Sequence, residues 1–403
     1  MNKKFFCFDN PKNAVLVCFG LLLAVGCVNV YSASFVYATS EMDNSYHFVA
    51  RYIMFALASI WAFWVMRKIG YKFFLQQNVL LCFGGAIFLL LGCVLVFGPE
   101  INAAKRWLDF GFFHLQPSEF AKLFIVLLSS SMLGKHLLAG RRANVFHAPA
   151  GYCILWSIVF AALVFVQPDM GTAGIIFGLP ALLCLLAGVR RSQIVLAGIV
   201  VLGIAVTFIW HASYRFNRVL MWLDPWQDPT GNGYQMVQSF IAIGSGGYFG
   251  TDWGAGTAKL FFLPELHTDF AFAIFCQENG FVGATLIIAL FVLLGFALWT
   301  IAKRTTDPTG FLLVSGIIFL VVGQAVANMA MVCGLLPIIG VPLSFISYGG
   351  SSMFASSLGL GLVLSVYDNE CKMEKEQAET AKMEQQSPIE RRRSWQIIKG
   401  NKR

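Results

Sequence analysis

Residues 76–97 read QQNVLLCFGGAIFLLLGCVLVF. From Val79 to Phe97 there is no charged, amide or hydroxyl side chain. At about 1.5 Å per residue, a helix of that length crosses the roughly 30 Å hydrocarbon core of a bilayer. The same window applied outward in both directions finds nine further apolar runs. The ten expected spans are approximately 14–37, 48–66, 76–97, 118–134, 148–167, 171–189, 193–210, 280–302, 311–333 and 348–367. The fold class expected is therefore an all-α polytopic membrane protein. The fourth run is short and carries Glu119 and Lys122, which marks it as the span packed inside the bundle rather than facing lipid.

Composition agrees. The 403 residues are 57% hydrophobic and only 12% charged, with a mean hydropathy of +0.69. Soluble domains carry about 25% charged residues, so a soluble enzyme, a disordered scaffold and a secreted disulfide domain are excluded. The ten cysteines sit mostly inside apolar runs without metal-ligand spacing and read as packing residues. The net charge of +8 points to membrane orientation and not to nucleic acid, because of where the charges fall. With ten spans, 22 of the 29 basic residues lie at the termini and in one set of loops. The positive-inside rule then places both termini in the cytoplasm. The expected organisation is a cytoplasmic N-terminus over 1–13, a ten-helix membrane unit over 14–367, and a charged cytoplasmic tail over 368–403. A large extracytoplasmic loop, 211–270, separates spans seven and eight. The tail reads as a solvated segment whose Arg391-Arg392-Arg393 run suits anionic lipid.

Polar chemistry concentrates in four outward segments. The first holds Lys105-Arg106-Trp107 and then Gln116-Pro117-Ser118-Glu119, with Lys122 one turn on. Pro117 and Ser118 suit a helix start. Glu119 and Lys122 share a helix face, either as a neutralised structural pair or as a functional one. Arg106, at headgroup level beside a Trp, is a lipid anchor or a phosphate ligand. The second is Gln167-Pro168-Asp169-Met170-Gly171-Thr172, a tight turn in which Asp169 either caps the next helix or makes a functional contact. The third is the long loop, rich in Trp, Tyr, Phe and Gly. It closes with Lys259 and then Glu265, His267 and Asp269 within five residues. Two carboxylates and a base at the membrane surface suit general acid–base work. A carboxylate at a partly apolar interface has its pKa pushed upward, which suits a base. The fourth, residues 334–352, packs two Pro, four Gly and four Ser into the apolar stretch before and at the start of the last span. Irregular backbone at that depth must be buried or line a cavity. Its end, Ser351-Ser352, opens a helix whose amides and hydroxyls suit an anion or serve structure alone.

These four segments, in this order, resemble the SEDS (shape, elongation, division and sporulation) family over about residues 100–367. The most specific matches are Leu263-Pro264-Glu265-x-His267-Thr268-Asp269-Phe270 and Ile346-Ser347-Tyr348-Gly349-Gly350-Ser351-Ser352. Asp224-Pro225-Trp226-x-Asp228-Pro229 and Gly233-Tyr234-Gln235 favour the division branch, typified by FtsW, over the elongation branch, typified by RodA. The chain departs from the pattern at Thr251–Thr257 and at Gln277-Glu278-Asn279-Gly280.

The resemblance implies a peptidoglycan glycosyltransferase that polymerises lipid II into glycan strands at the outer face of the bacterial cytoplasmic membrane, at the division septum. It makes Asp269 the catalytic base. Arg106, Lys122, Lys259 and Glu265 fall at or beside the active site, and Glu119, Asp169, Ser351 and Ser352 complete the expected substrate contacts. No dedicated cofactor or metal cage is implied, although a divalent cation could accompany the substrate pyrophosphate. The implied partners are lipid II, a lipid-linked glycan strand, a class B penicillin-binding protein, other divisome proteins and membrane lipids. Small residues on spans eight and nine, among them Gly316 and Gly323, are the expected docking face for the transpeptidase helix. A lipid II flippase and a non-catalytic divisome scaffold are the rival readings.

Overall fold

The computed structural model describes residues 10–100, 104–111, 113–140, 149–210, 217, 220–251, 256–259 and 267–385. Its apolar runs are helices: α1 (Pro11–Met42), α2 (His47–Ile69), the short α3 (Tyr71–Phe74), α4 (Gln77–Phe97), α5 (Pro117–Leu138), α6 (Ala150–Val166), α7 (Met170–Leu186) and α8 (Arg191–Trp210). In the long loop lies α9 (Tyr234–Ser245), followed by α10 (Ala271–Arg304). The ninth run is α11 (Pro308–Ile318), a π turn over Phe319–Gly323, and α12 (Gln324–Val332). The last helix is α13 (Gly350–Gln385). A two-stranded antiparallel ribbon, β1 (Leu108–Asp109) and β2 (His114–Leu115), precedes α5.

Seven helical segments among the described residues are long and apolar enough to cross a membrane, and α6, α7 and part of α8 are shorter apolar helices. Each of the ten expected runs coincides with one of these segments. The protein is a polytopic helical membrane protein.

α5 is enclosed, as its charges require. It packs against α4, α6, α7, α11 and α13. α13 is more enclosed still. α13 lies along α2 and continues well past 367, so its outer turns belong to the same helix as its apolar part. The expected boundary at 368 therefore falls inside a helix; residues 386–403, including the Arg391–Arg393 run, lie outside the described set. At that end Arg67 Nε donates to Asp368 Oδ2 at 2.6 Å. Thr306 Oγ1 donates to Glu370 at 2.9 Å, and the Tyr71 hydroxyl donates to Asp307 at 3.0 Å.

The eighth run begins nine residues earlier than its hydropathy suggests. α10 opens at Ala271 and is broken at Gly280, where φ is +63° and ψ −165°. That conformation is open to glycine and strained for other residues. The interrupted hydrogen bonding is taken over by the segment after α9. Phe281 N donates to Gly247 O at 2.9 Å, Val282 N to Tyr248 O at 3.1 Å, and Thr251 N to Gln277 O at 3.0 Å. The approach is tight enough that a Cβ on Gly280 would lie 2.4 Å from Gly250 N, and one on Gly250 would lie 2.0 Å from Glu278 O.

Of the small residues expected to face a partner, Gly316 is buried, with its Cβ position against Val126 and Leu183 inside the bundle. Close packing of α11 on α5 and α7 uses it, so it cannot belong to a lipid-facing dock. Gly323 is exposed.

Candidate functional site

The irregular stretch between α12 and α13 is the floor on which the other segments meet. Asn328, on α12, holds it from below: its Nδ2 donates to Val341 O at 2.7 Å and to Asp269 O at 2.8 Å. Tyr348 N donates to His267 O at 2.8 Å. Those bonds fix the turn that carries Asp269 to the floor at two places, one on either side of the 342–347 bend. The ring of His267 packs among Tyr37, Phe48 and Tyr348.

Gly340 is the point of convergence. Its φ is +66°, and a Cβ there would sit 3.2 Å from Arg106 Nη1 and 3.6 Å from Asp269 Oδ2. The guanidinium and the carboxylate thus flank one and the same point, left open because residue 340 has no side chain. Arg106 is aimed there by its other nitrogen, which donates to Pro168 O at 2.6 Å. The 167–172 turn is seated on the floor in the same way, since Gly171 lies so close to Ile339 O that a Cβ would fall 1.9 Å from it.

Asp169 is buried and caps α7, accepting from Thr172 N at 3.1 Å. It also accepts from Gln116 Nε2 at 3.4 Å. Burial pushes its carboxyl above the usual carboxylate range, while the nearby Arg106 charge, the Thr172 donors and Lys122 pull the other way. Of the two readings the sequence left open for Asp169, capping is realised, and the cap faces Arg106.

Beneath this lies a buried polar chain. Lys122 Nζ donates to Glu119 Oε1 at 2.7 Å and to Gln324 Oε1 at 2.6 Å. Gln324 Nε2 donates to Pro342 O and to Ser352 Oγ, both at 3.1 Å. Ser351 Oγ accepts from Gln116 N at 3.0 Å and donates to His114 O at 3.4 Å. Both hydroxyls at the start of α13 are therefore engaged by protein groups. Removing one member of a buried pair costs about 3–5 kcal/mol, because the other charge is stranded. Lys122→Met should lower stability by that amount, and Lys122→Met with Glu119→Leu should recover most of it. Thermal unfolding in detergent reads the difference; a single variant as stable as the parent would show that the pair does not hold the bundle.

Lys259 is drawn elsewhere. It is buried, with Nζ 2.8 Å from Glu278 Oε1 and 3.3 Å from Ser32 Oγ. The Ser32 hydroxyl also lies 2.6 Å from both Glu278 oxygens. Lys259 thereby ties the long loop to α1 and α10. Glu265 lies outside the described residues. Among the described residues no group of three or more His, Cys, Asp and Glu side chains comes together.

Three residues that hold the site fall in none of the four segments, Gln324, Asn328 and Ser32, and a fourth, Glu278, stands in the sequence only within the Gln277–Gly280 departure from the family pattern. The first two carried a signal. Two amides four residues apart in an otherwise apolar span share a helix face, and polar groups at that depth serve structure or function.

Fold and site together define a polytopic membrane protein with a guanidinium and a carboxylate assembled on irregular backbone at one end of its bundle. The profile of the cell cycle protein family that groups FtsW, RodA and SpoVE matches residues 12–372. The chain belongs to that family, the SEDS proteins. It is 36% identical over 350 residues to stage V sporulation protein E of Bacillus subtilis (strain 168), covering 86% of this chain and 94% of that one. It is 36% identical over 378 residues to the probable peptidoglycan glycosyltransferase FtsW of Pseudoalteromonas translucida (strain TAC 125), covering 92% of each. Among solved structures, a chain from a study of polymerization and crosslinking by a peptidoglycan synthase complex matches with a TM-score of 0.70 at 30% identity, covering 88% of this chain and 97% of that one. The rod shape determining protein RodA of Thermus thermophilus matches with a TM-score of 0.62 at 26% identity, covering 88% and 96%.

Proposed function

We infer that this chain is a peptidoglycan glycosyltransferase of cell-wall synthesis, polymerising lipid II at the outer face of the cytoplasmic membrane. The observation that carries the reading is the convergence of Arg106 and Asp269 on Gly340. A glycosyl donor on a polyprenyl pyrophosphate needs two things at its anomeric carbon. A base must take the proton of the acceptor sugar hydroxyl as the new C–O bond forms, and a cation must meet the charge on the departing pyrophosphate as the old C–O bond breaks. Asp269 is assigned the first task and Arg106 the second. Pro168 and Asp169 orient Arg106, and Asn328 sets the backbone of Asp269.

Glu119, Lys122 and Ser352 shape the floor from below, through the chain that ends on Pro342, and Ser351 ties the start of α13 to Gln116. Lys259 secures the loop through Glu278, and Glu265 is assigned to the rim beside Asp269. A divalent cation, where present, arrives on the pyrophosphate. The excess of basic residues at the opposite end supports the outward orientation of the site, with ten spans and both termini inside. The Asp224–Pro229 and Gly233–Gln235 motifs, with relatives named FtsW, support a role at the septum beside a class B penicillin-binding protein and other divisome proteins.

The test is to incubate the purified full chain with lipid II, with and without a cognate class B penicillin-binding protein, and to resolve the products on a gel. A ladder of glycan polymer in either arm is expected. Lipid II left unpolymerised in both arms overturns the reading. Transfer of lipid II between leaflets of proteoliposomes without polymer would replace it with the flippase.

A further inference from the structure

At the end of the bundle away from Gly340, α2, α3 and α13 enclose a cleft of about 800 Å³. Arg67, Lys68 and Lys72 line it from one side, and Lys372 and Lys375 from the other. Its one lining carboxylate, Asp368, is already taken by Arg67 at 2.6 Å. That leaves four lysines for which the described residues supply no ion-pair partner within 4.0 Å. Positions 368, 371, 372 and 375 repeat at helical spacing, so the continuation of α13 past its apolar part turns one face onto the cleft. The apolar border runs beside it, with Trp64 and Ile69 about half exposed. Arg67 lies over the Trp64 ring at 4.9 Å. An exposed Trp below a ring of cations is the arrangement of a headgroup boundary.

Basic residues scattered on loops would indicate orientation alone. Here two pairs of lysines, one from α2 and α3 and one from α13, line a single concavity beside the apolar border. We propose that this cleft binds the headgroup of an anionic phospholipid with two phosphates, of the diphosphatidylglycerol kind, one phosphate for each lysine pair. Basic pockets between membrane helices recognise such headgroups. The occupant is a lipid and not a free anion, because the cleft continues into exposed apolar surface that a soluble ligand would leave wet.

The test uses the full chain in detergent, titrated with tetraoleoyl diphosphatidylglycerol and, separately, with dioleoyl phosphatidylethanolamine, and read by native mass spectrometry. The parent should bind the former in clear preference. Lys372→Gln with Lys375→Gln, both exposed and remote from Arg106 and Asp269, should weaken that binding by on the order of tenfold or more. Lys303→Gln with Arg304→Gln, which removes as much charge from the same end outside the cleft, should leave it unchanged. The proposal fails if the parent shows no preference, if the cleft variant binds like the parent, or if the control variant loses as much. It fails also if millimolar inorganic phosphate displaces the lipid, which would make the cleft a general anion site.

Discussion

Asp269→Asn is expected to yield a folded, membrane-inserted protein that makes no detectable glycan polymer. The side chains are nearly the same size, so packing around Phe270, which is 1% exposed, is undisturbed. The turn is held through main-chain atoms, Asp269 O by Asn328 and His267 O by Tyr348, and the substitution leaves both bonds in place. What disappears is the carboxylate that accepts the acceptor's proton. Loss of a positioned base typically costs 10²–10⁴-fold in rate, roughly 3–5 kcal/mol of barrier. The gel assay would therefore fall to background while the thermal melt stays with the parent. Near-normal polymer length and yield would remove Asp269 from its assigned role.

Arg106→Ala should come next in severity, with Arg106→Lys between it and the parent. Arg106 uses one nitrogen on Pro168 O at 2.6 Å and turns another toward Gly340. Alanine loses both the charge that meets the leaving pyrophosphate and the fork that aims it. Removing one preorganised donor to a developing anion typically costs about 10²–10³-fold. Lysine keeps the charge but, as a point cation, cannot hold Pro168 and face the substrate in one plane. The ranking parent, Lys, Ala in initial rate is the signature. Full activity in the Ala variant would leave Arg106 as a lipid anchor.

What could be read from the chain, and what could not, divides along a physical line. α4 was plain because hydropathy over twenty residues is a local property. The pair Glu119–Lys122 was plain because three residues on a helix fix a shared face. Asp269 and Arg106 were legible as motifs, yet their meeting at Gly340 was not, because it requires the 334–349 segment to lie beneath both. The early start of α10 was hidden for the same reason. Gln277, Glu278 and Asn279 look like loop, and become helix only because residues from 247 to 251, some thirty positions earlier, replace the hydrogen bonds that Gly280 interrupts. Lys259 was placed beside Asp269 by sequence adjacency, whereas its charge is met by Glu278 and Ser32 from two other elements. Gln324 and Asn328 share a helix face at their spacing, but spacing does not announce that one amide, Asn328, reaches two backbone carbonyls at once.

The seam between Gly250 and Gly280 makes two stretches of chain behave as one unit under mutation. The space a Cβ on Gly280 would need is filled by Gly250 N and the Tyr248 carbonyl, and that beside Gly250 by the Glu278 carbonyl and Asn279 N, so a side chain at either position parts the same backbone seam. Once one alanine has opened the seam, the second has little left to disrupt, and the costs of the two changes are strongly sub-additive. No change at one site can compensate the other, because what each lacks is room for main chain rather than a complementary side chain. Drift at these positions is thus closed off in both directions. The loop can vary around the seam, but its attachment to the broken helix is inherited as a fixed joint.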